Sequence, residues 1–138
     1  MNHFILVISS LFLLTSLLFI NFIPTKLNSF EILLSILLII NVLFSILFWS
    51  EPIKGSCIHH YDAIFARISL LLFSTYILFV KNTTIKIRLV YTLVLSISLL
   101  FIFLSNTFSK EKWCSNNHIL CHFLFHIFIS IGTIFAFI

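Results

Sequence analysis

Residues 32–49 read ILLSILLIINVLFSILFW, eighteen positions without a charge. As a helix rising about 1.5 Å per residue, a run of that length spans most of the hydrocarbon core of a bilayer. It shows no alternation of period two, whereas a membrane barrel strand would be about 9–11 residues of alternating polarity. Working outward, four further apolar runs occupy 4–23, 63–80, 89–104 and 119–138, and Ile85 and Ile87 extend the fourth. Pro24-Thr25-Lys26, Ser50-Glu51-Pro52 and Lys54-Gly55-Ser56 punctuate them as turns. The expectation is an all-α integral membrane helical bundle of about five transmembrane helices, near 4–23, 32–49, 60–80, 86–105 and 118–138, forming a single domain over residues 1–138.

Composition excludes the alternatives. Of 138 residues, 61% are hydrophobic and only 9% charged, far from the balance of a soluble domain. Mean hydropathy is +1.21. Two glycines cannot build a glycine-rich phosphate loop. The net charge of +4 comes from basic residues in the gaps between apolar runs, where they anchor helix ends, and no basic stretch interleaves with aromatics as a nucleic-acid surface would. Cys57, Cys114 and Cys121 make neither a disulfide framework nor a CxxC metal pair. The first run lacks a basic n-region and a small-residue cleavage site, so it reads as a helix and not as a signal peptide.

Alternating helix direction puts the 50–62 and 105–118 loops on one face. Five of the six histidines, His59, His60, His118, His122 and His126, lie in or just below those loops, and His3 starts the chain on the same side. The opposite face carries Lys26, Lys81, Lys86, Arg88 and Glu31 and no histidine. Three basic residues on the histidine face against four on the other leave orientation, and the identity of the membrane, open.

Chemistry concentrates on that histidine face. His118, His122 and His126 recur every four residues and form one helical stripe, and an i,i+4 histidine pair projects two imidazoles toward one metal ion. Interhelical hydrogen bonding is the plainer role for such residues, but three ionisable groups on one intramembrane stripe favour a functional site. Asp62, at the start of the third helix one turn after His59, reads either as a helix cap or as counter-charge and general base beside the histidines. Arg67, about 7.5 Å below the helix start, reads as an interfacial anchor. Asn41, Ser45 and Trp49 form a stripe on the second helix that faces the bundle.

This arrangement resembles the CREST-type membrane hydrolase superfamily of alkaline ceramidases, hemolysin III proteins and adiponectin/progestin receptors. The family pattern is S-x-x-x-H on the second helix, Asp opening the third and H-x-x-x-H on the last. Ser45-Ile-Leu-Phe-Trp49, Asp62-Ala-Ile-Phe and His122-Phe-Leu-Phe-His126 follow that order. The resemblance implies Zn²⁺ held by histidines, with Ser and Asp holding the attacking water, and cleavage of a lipid amide such as ceramide or of an ester. Carried over, His122 and His126 are metal ligands, Asp62 is the base and Ser45 supports water or oxyanion. Two departures stand out: five helices replace the family's seven, and Trp49 stands where the family has its first histidine. A third ligand then comes from His59, with His60 and His118 as alternatives.

The implied partners are the lipid bilayer and a lipid substrate, with no nucleic acid. A different class of function competes: a small non-catalytic subunit of a larger membrane complex, organelle- or virus-encoded, whose histidines line an interface with other subunits. Haem is disfavoured, because no intramembrane histidine lies outside the last helix to oppose the stripe.

Overall fold

The computed structural model describes residues 2–22 and 27–138, and among these the chain is helical with no strand. Helix α1 spans Phe4–Phe12 and α2 spans Thr15–Leu18, followed by a 3-10 turn at Phe19–Phe22. Then come α3 (Ser29–Ser50), α4 (Cys57–Thr75, continued by a π turn at Tyr76–Val80), α5 (Ile85–Glu111) and α6 (Asn116–Ile134). Four of these, counting α4 with its π turn, are long and apolar enough to cross a membrane; the Phe4–Leu18 stretch is a shorter apolar helix. The expected break at Pro24-Thr25-Lys26 lies outside the described residues.

The first apolar run is therefore helical but not one continuous α-helix. Its hydroxyls explain the interruption at Leu13 and Leu14. Ser9 and Ser10 both turn onto the Leu6 carbonyl, Thr15 onto that of Phe12 and Ser16 onto that of Leu13. Such back-bonding competes with the helical ladder and bends it. The other helices start on capping residues: a reciprocal Asn28/Glu31 capping box for α3, Ser56 for α4, Thr84 for α5 and Ser115 for α6. Helix α3 stops at Ser50, just ahead of Pro52, whose ring disfavours helical geometry in the residue before it.

The core is apolar, around Leu34, Leu38, Val42, Ile77 and Phe137, but small hydroxyls share it and large apolar side chains cover the outside. Ser9, Ser10, Ser16, Ser98 and Ser105 are fully buried, while Phe79 and Leu71 are 79% and 68% exposed. Lipid chains solvate apolar side chains as well as a core does, so close approach through small residues and internal hydrogen bonds is what holds such helices together.

In space the order is α4, α3, α1, α6, α5, each packed on the next. The two outer members, α4 and α5, are consecutive in sequence but do not pack along their lengths; α5 touches the π turn beside their hairpin instead. The bundle is thus pinned at one end and parted at the other. At the pinned end Tyr76 donates to Glu31 Oε1 at 2.8 Å and accepts from Asn28 Nδ2 at 2.8 Å. Lys81 Nζ lies 3.7 Å from the same carboxylate and donates at 2.8 Å to the Ala136 carbonyl, just past the end of α6. Burial, opposed by the Glu31 carboxylate, holds the Lys81 ammonium below its usual pKa.

Candidate functional site

At the parted end, α4 and α6 begin with the same local device. Ser56 and Ser115 accept from the backbone N–H of His59 and His118, three residues on. In return the Nδ1 atoms of His59 and His118 accept from the backbone N–H of Gly55 (3.0 Å) and Cys114 (3.1 Å). This is a capping box in which histidine replaces the usual Glu or Gln and the returned bond reaches one residue further back. Both returned donors have positive φ, +81° at Gly55 and +54° at Cys114. Gly55 adopts that conformation freely; a side chain at Cys114 makes it uncommon there.

The two loops so anchored interlock, in agreement with the shared face expected from helix alternation. Lys54 Nζ donates at 2.9 Å to the Ser109 carbonyl in the last turn of α5, which extends into the expected 105–118 loop, and lies 5.4 Å from the centre of the Trp113 ring. Trp113 Nε1 donates to the Pro52 carbonyl at 2.9 Å. Trp49, 1% exposed, sits at the middle of this aromatic mouth, with ring centroids 6.2 Å from Trp113, 5.9 Å from His118 and 4.8 Å from His122. His59 stacks on Phe48 at 4.7 Å.

Below the mouth lies a cavity of about 680 Å³ between α3, α4, α5 and α6. Its flank between α4 and α5 is the side that no helix–helix packing closes. Ser45, His59, Asp62, His122 and His126 all line it, with Asn41, Trp49 and His118. His60 and Arg67 also contribute, from exposed positions. His3 does not line it.

The α6 stripe points inward. His122 and His126 rings are 4.8 Å apart and His118 and His122 rings 6.0 Å apart. His126 Nδ1 meets Ser9 Oγ at 2.8 Å, and His122 Nδ1 meets Ser105 Oγ at 3.1 Å. The Ser9 hydroxyl already donates to the Leu6 carbonyl, so it accepts from His126 Nδ1–H, which leaves Nε2 as the unprotonated nitrogen. Ligating histidines are held in this way, one nitrogen tied to a fixed partner and the other presented. His59 and His118 are the opposite case: a ring accepting at Nδ1 carries its proton on Nε2 when neutral.

Asp62 lies inside α4, beyond its first turn. The cap is Ser56, so the capping role open to Asp62 in the sequence is already filled. Its carboxyl faces Ser45, whose hydroxyl is 2.8 Å from that of Ser10. Sequence reasoning missed Ser9, Ser10, Ser105 and Trp113. The signal for the serines was their occurrence in apolar runs, where a hydroxyl needs an internal partner. Trp113 carried none, because its role depends on a loop 61 residues away.

Among the described residues, no three His, Cys, Asp or Glu side chains are disposed to hold a metal ion. Compared with known proteins, the chain matches no family model, no curated protein and no solved structure. What the fold itself defines is an all-helical protein with four helices long and apolar enough to cross a membrane, built around a largely apolar cavity into which histidines, serines and Asp62 are set.

Proposed function

We propose that this chain is an intramembrane hydrolase of a lipid amide or ester, dependent on zinc. The observation that supports it most is convergence: Ser45 from α3, Asp62 from α4 and His122 with His126 from α6 line one cavity whose α4/α5 flank is not closed by extensive helix packing. In this reading substrate slides in between α4 and α5, and its carbonyl settles near Ser45. Asp62 accepts the proton of the attacking water, and Ser45, in contact with both Asp62 and Ser10, orients that water or the developing oxyanion.

His122 and His126 have the donor chemistry for zinc: Ser9 ties Nδ1 of His126 so that its Nε2 is presented, and Ser105 meets Nδ1 of His122. Zinc, when bound, supplies Lewis-acid polarisation and a more acidic water. Catalytic zinc ordinarily has three protein ligands. His59 is the third in this proposal, and it takes that role only by releasing the Gly55 N–H and moving its own proton from Nε2. The test is elemental analysis of the purified full chain after zinc re-addition, alongside fatty-acid release from lipid amides and esters in mixed micelles. Near-stoichiometric zinc that falls in His122→Ala and His126→Ala, with measurable turnover, is expected. Zinc-free protein without turnover rejects the hydrolase.

A second reading, a non-catalytic subunit of a membrane complex, is favoured by one observation: no three-ligand cluster is assembled among the described residues. It expects no bound zinc and co-purification with other membrane subunits.

A further inference from the structure

The chain has two arginines, and they are held differently. Arg88, beside the α4/α5 hairpin, donates from Nε to Thr83 Oγ1 and from Nη2 to the Lys81 carbonyl, both at 3.3 Å. Arg67 makes no hydrogen bond or ion pair among the described residues. It also lies deeper than an interfacial anchor would. Helix α4 begins at Cys57, so Arg67 stands ten residues on, about 15 Å into an apolar stretch of 24 residues that is long enough to cross a membrane. A guanidinium stays charged at that depth, and an intramembrane charge without a protein partner marks where something else supplies the anion.

The guanidinium has a space to meet it in. His60, Ala63 and Arg67 fall on one face of α4, and Ile102, Asn106 and Ser109 on one face of α5. All six line the cavity, whose α4/α5 flank extensive helix packing does not close. A helical side chain leans toward its own N-terminus, which for α4 is the mouth, so Arg67 reaches up toward the loops. Lys54 lines the same cavity from the loop above, and both cations are near enough to His59 for their charges to act on its ring. Bonding to the Ser109 carbonyl uses one of the three Lys54 donors. Asp62, the one acid in the lining, faces Ser45 and leaves the two cations unanswered. The rest of the lining includes Leu13, Leu38, Leu70, Phe73 and Ile129, an apolar surface suited to a hydrocarbon chain.

We propose that the cavity binds a single-chain lipid phosphate, with the phosphate paired to Arg67 and Lys54 at the α4/α5 flank and the chain on the apolar lining. A guanidinium matches two phosphate oxygens at once. A phosphomonoester carries about −1.5 to −2 charges at neutral pH and so answers both cations, where a carboxylate answers one. A cavity of about 680 Å³ falls among pockets for one small ligand, roughly 300–1,000 Å³. This rests on the reading of the cavity as a lipid site but not on zinc or hydrolysis, because it concerns affinity alone.

The experiment uses the purified full chain in phosphatidylcholine nanodiscs, with empty nanodiscs as the blank. Radiolabelled oleyl phosphate is displaced by unlabelled oleyl phosphate, oleate or oleyl alcohol, which share one chain and contain no amide or ester of a fatty acid to be cleaved. Oleyl phosphate should compete about tenfold better than the other two. Arg67→Gln should bring the three competitors within about twofold of one another, and Arg88→Gln should leave the preference intact. Arg67→Gln removes no hydrogen bond within the chain, so the fold is kept. Equal competition by the alcohol, a gain matched by oleate, a preference that survives Arg67→Gln, an equal loss in Arg88→Gln, or no saturable binding overturns the proposal. Zinc and turnover are not read, so failure of the hydrolase leaves this outcome distinct.

Discussion

Where α3 begins, Glu31 takes in its own capping bond, the Tyr76 hydroxyl and the Lys81 ammonium, and Lys81 continues to the carbonyl of Ala136. Where α3 ends, Trp49 Nε1 has no hydrogen-bond partner among the described residues, and a cavity opens beneath the ring. One end of the bundle is closed by polar groups converging on a single carboxylate; at the other, polar groups bond in pairs around the rim and wall of a cavity. The difference separates two tasks. The Glu31 clasp stabilises the apex from which α4 and α5 diverge, and the divergence lets the histidine end keep a cavity in a chain this small.

The largest effect that would sharpen this comparison is on turnover. On the hydrolase reading proposed above, Asp62→Asn should retain zinc, fold and lipid binding while lowering hydrolysis about 10²–10⁴-fold, because it would remove the positioned base. Stability should barely move, since Ser56, not Asp62, caps α4. Turnover that stays within about tenfold of wild type would take Asp62 out of the chemistry.

At the opposite end the sign reverses. Glu31→Ala breaks the capping box and strands Tyr76 and Lys81 together, and it should cost about 1–3 kcal/mol of stability in denaturant titrations in detergent. On the proposed reading of the cavity as a lipid site, its affinity for a lipid amide should be unchanged. A loss of lipid affinity as large as the loss of stability would show that the two ends are one cooperative unit.

The twin caps allow a comparison within the histidine end. Ser56→Ala and Ser115→Ala remove equivalent bonds at the starts of α4 and α6, and each should lower stability by about 1 kcal/mol. Markedly unequal losses would mean that the two loops do not support each other equally.

The smallest effect is kinetic. In a Cys121→Ser background, Cys57 and Cys114 should both react with a membrane-impermeant thiol reagent from one side only. Cys57 is exposed, whereas burial pushes the Cys114 thiol above its usual pKa and reduces its reactive thiolate, so Cys114 should label more slowly. Labelling from opposite sides would dismantle the shared face of the two loops.

Much of this architecture is legible in the order of residues. An uncharged eighteen-residue run is helical wherever the backbone must satisfy itself, which is why residues 32–49 fall inside α3. Residues 118, 122 and 126 repeat at a helical period, so their common face needs no tertiary knowledge. The first run was harder to read, because its interruption at Leu13 and Leu14 comes from hydroxyls bonding backward, and apolarity alone does not register that competition. Asp62 was ambiguous between cap and site until Ser56 proved to be the cap, a choice between two good capping residues six positions apart.

Sequence by itself determined the helical class, the long apolar helices and the clustering of histidines at one end, because each depends on local periodicity and on the alternation of short loops. Tertiary structure decided which polar groups find partners. His126 meets Ser9 across 117 positions, Trp113 meets Pro52 across 61, and Asn41 Oδ1 and Ser69 Oγ meet no partner among the described residues. Those pairings depend on which helices become neighbours, and the order α4, α3, α1, α6, α5 is set by packing among faces that are nearly alike in hydrophobicity, where composition cannot distinguish one neighbour from another.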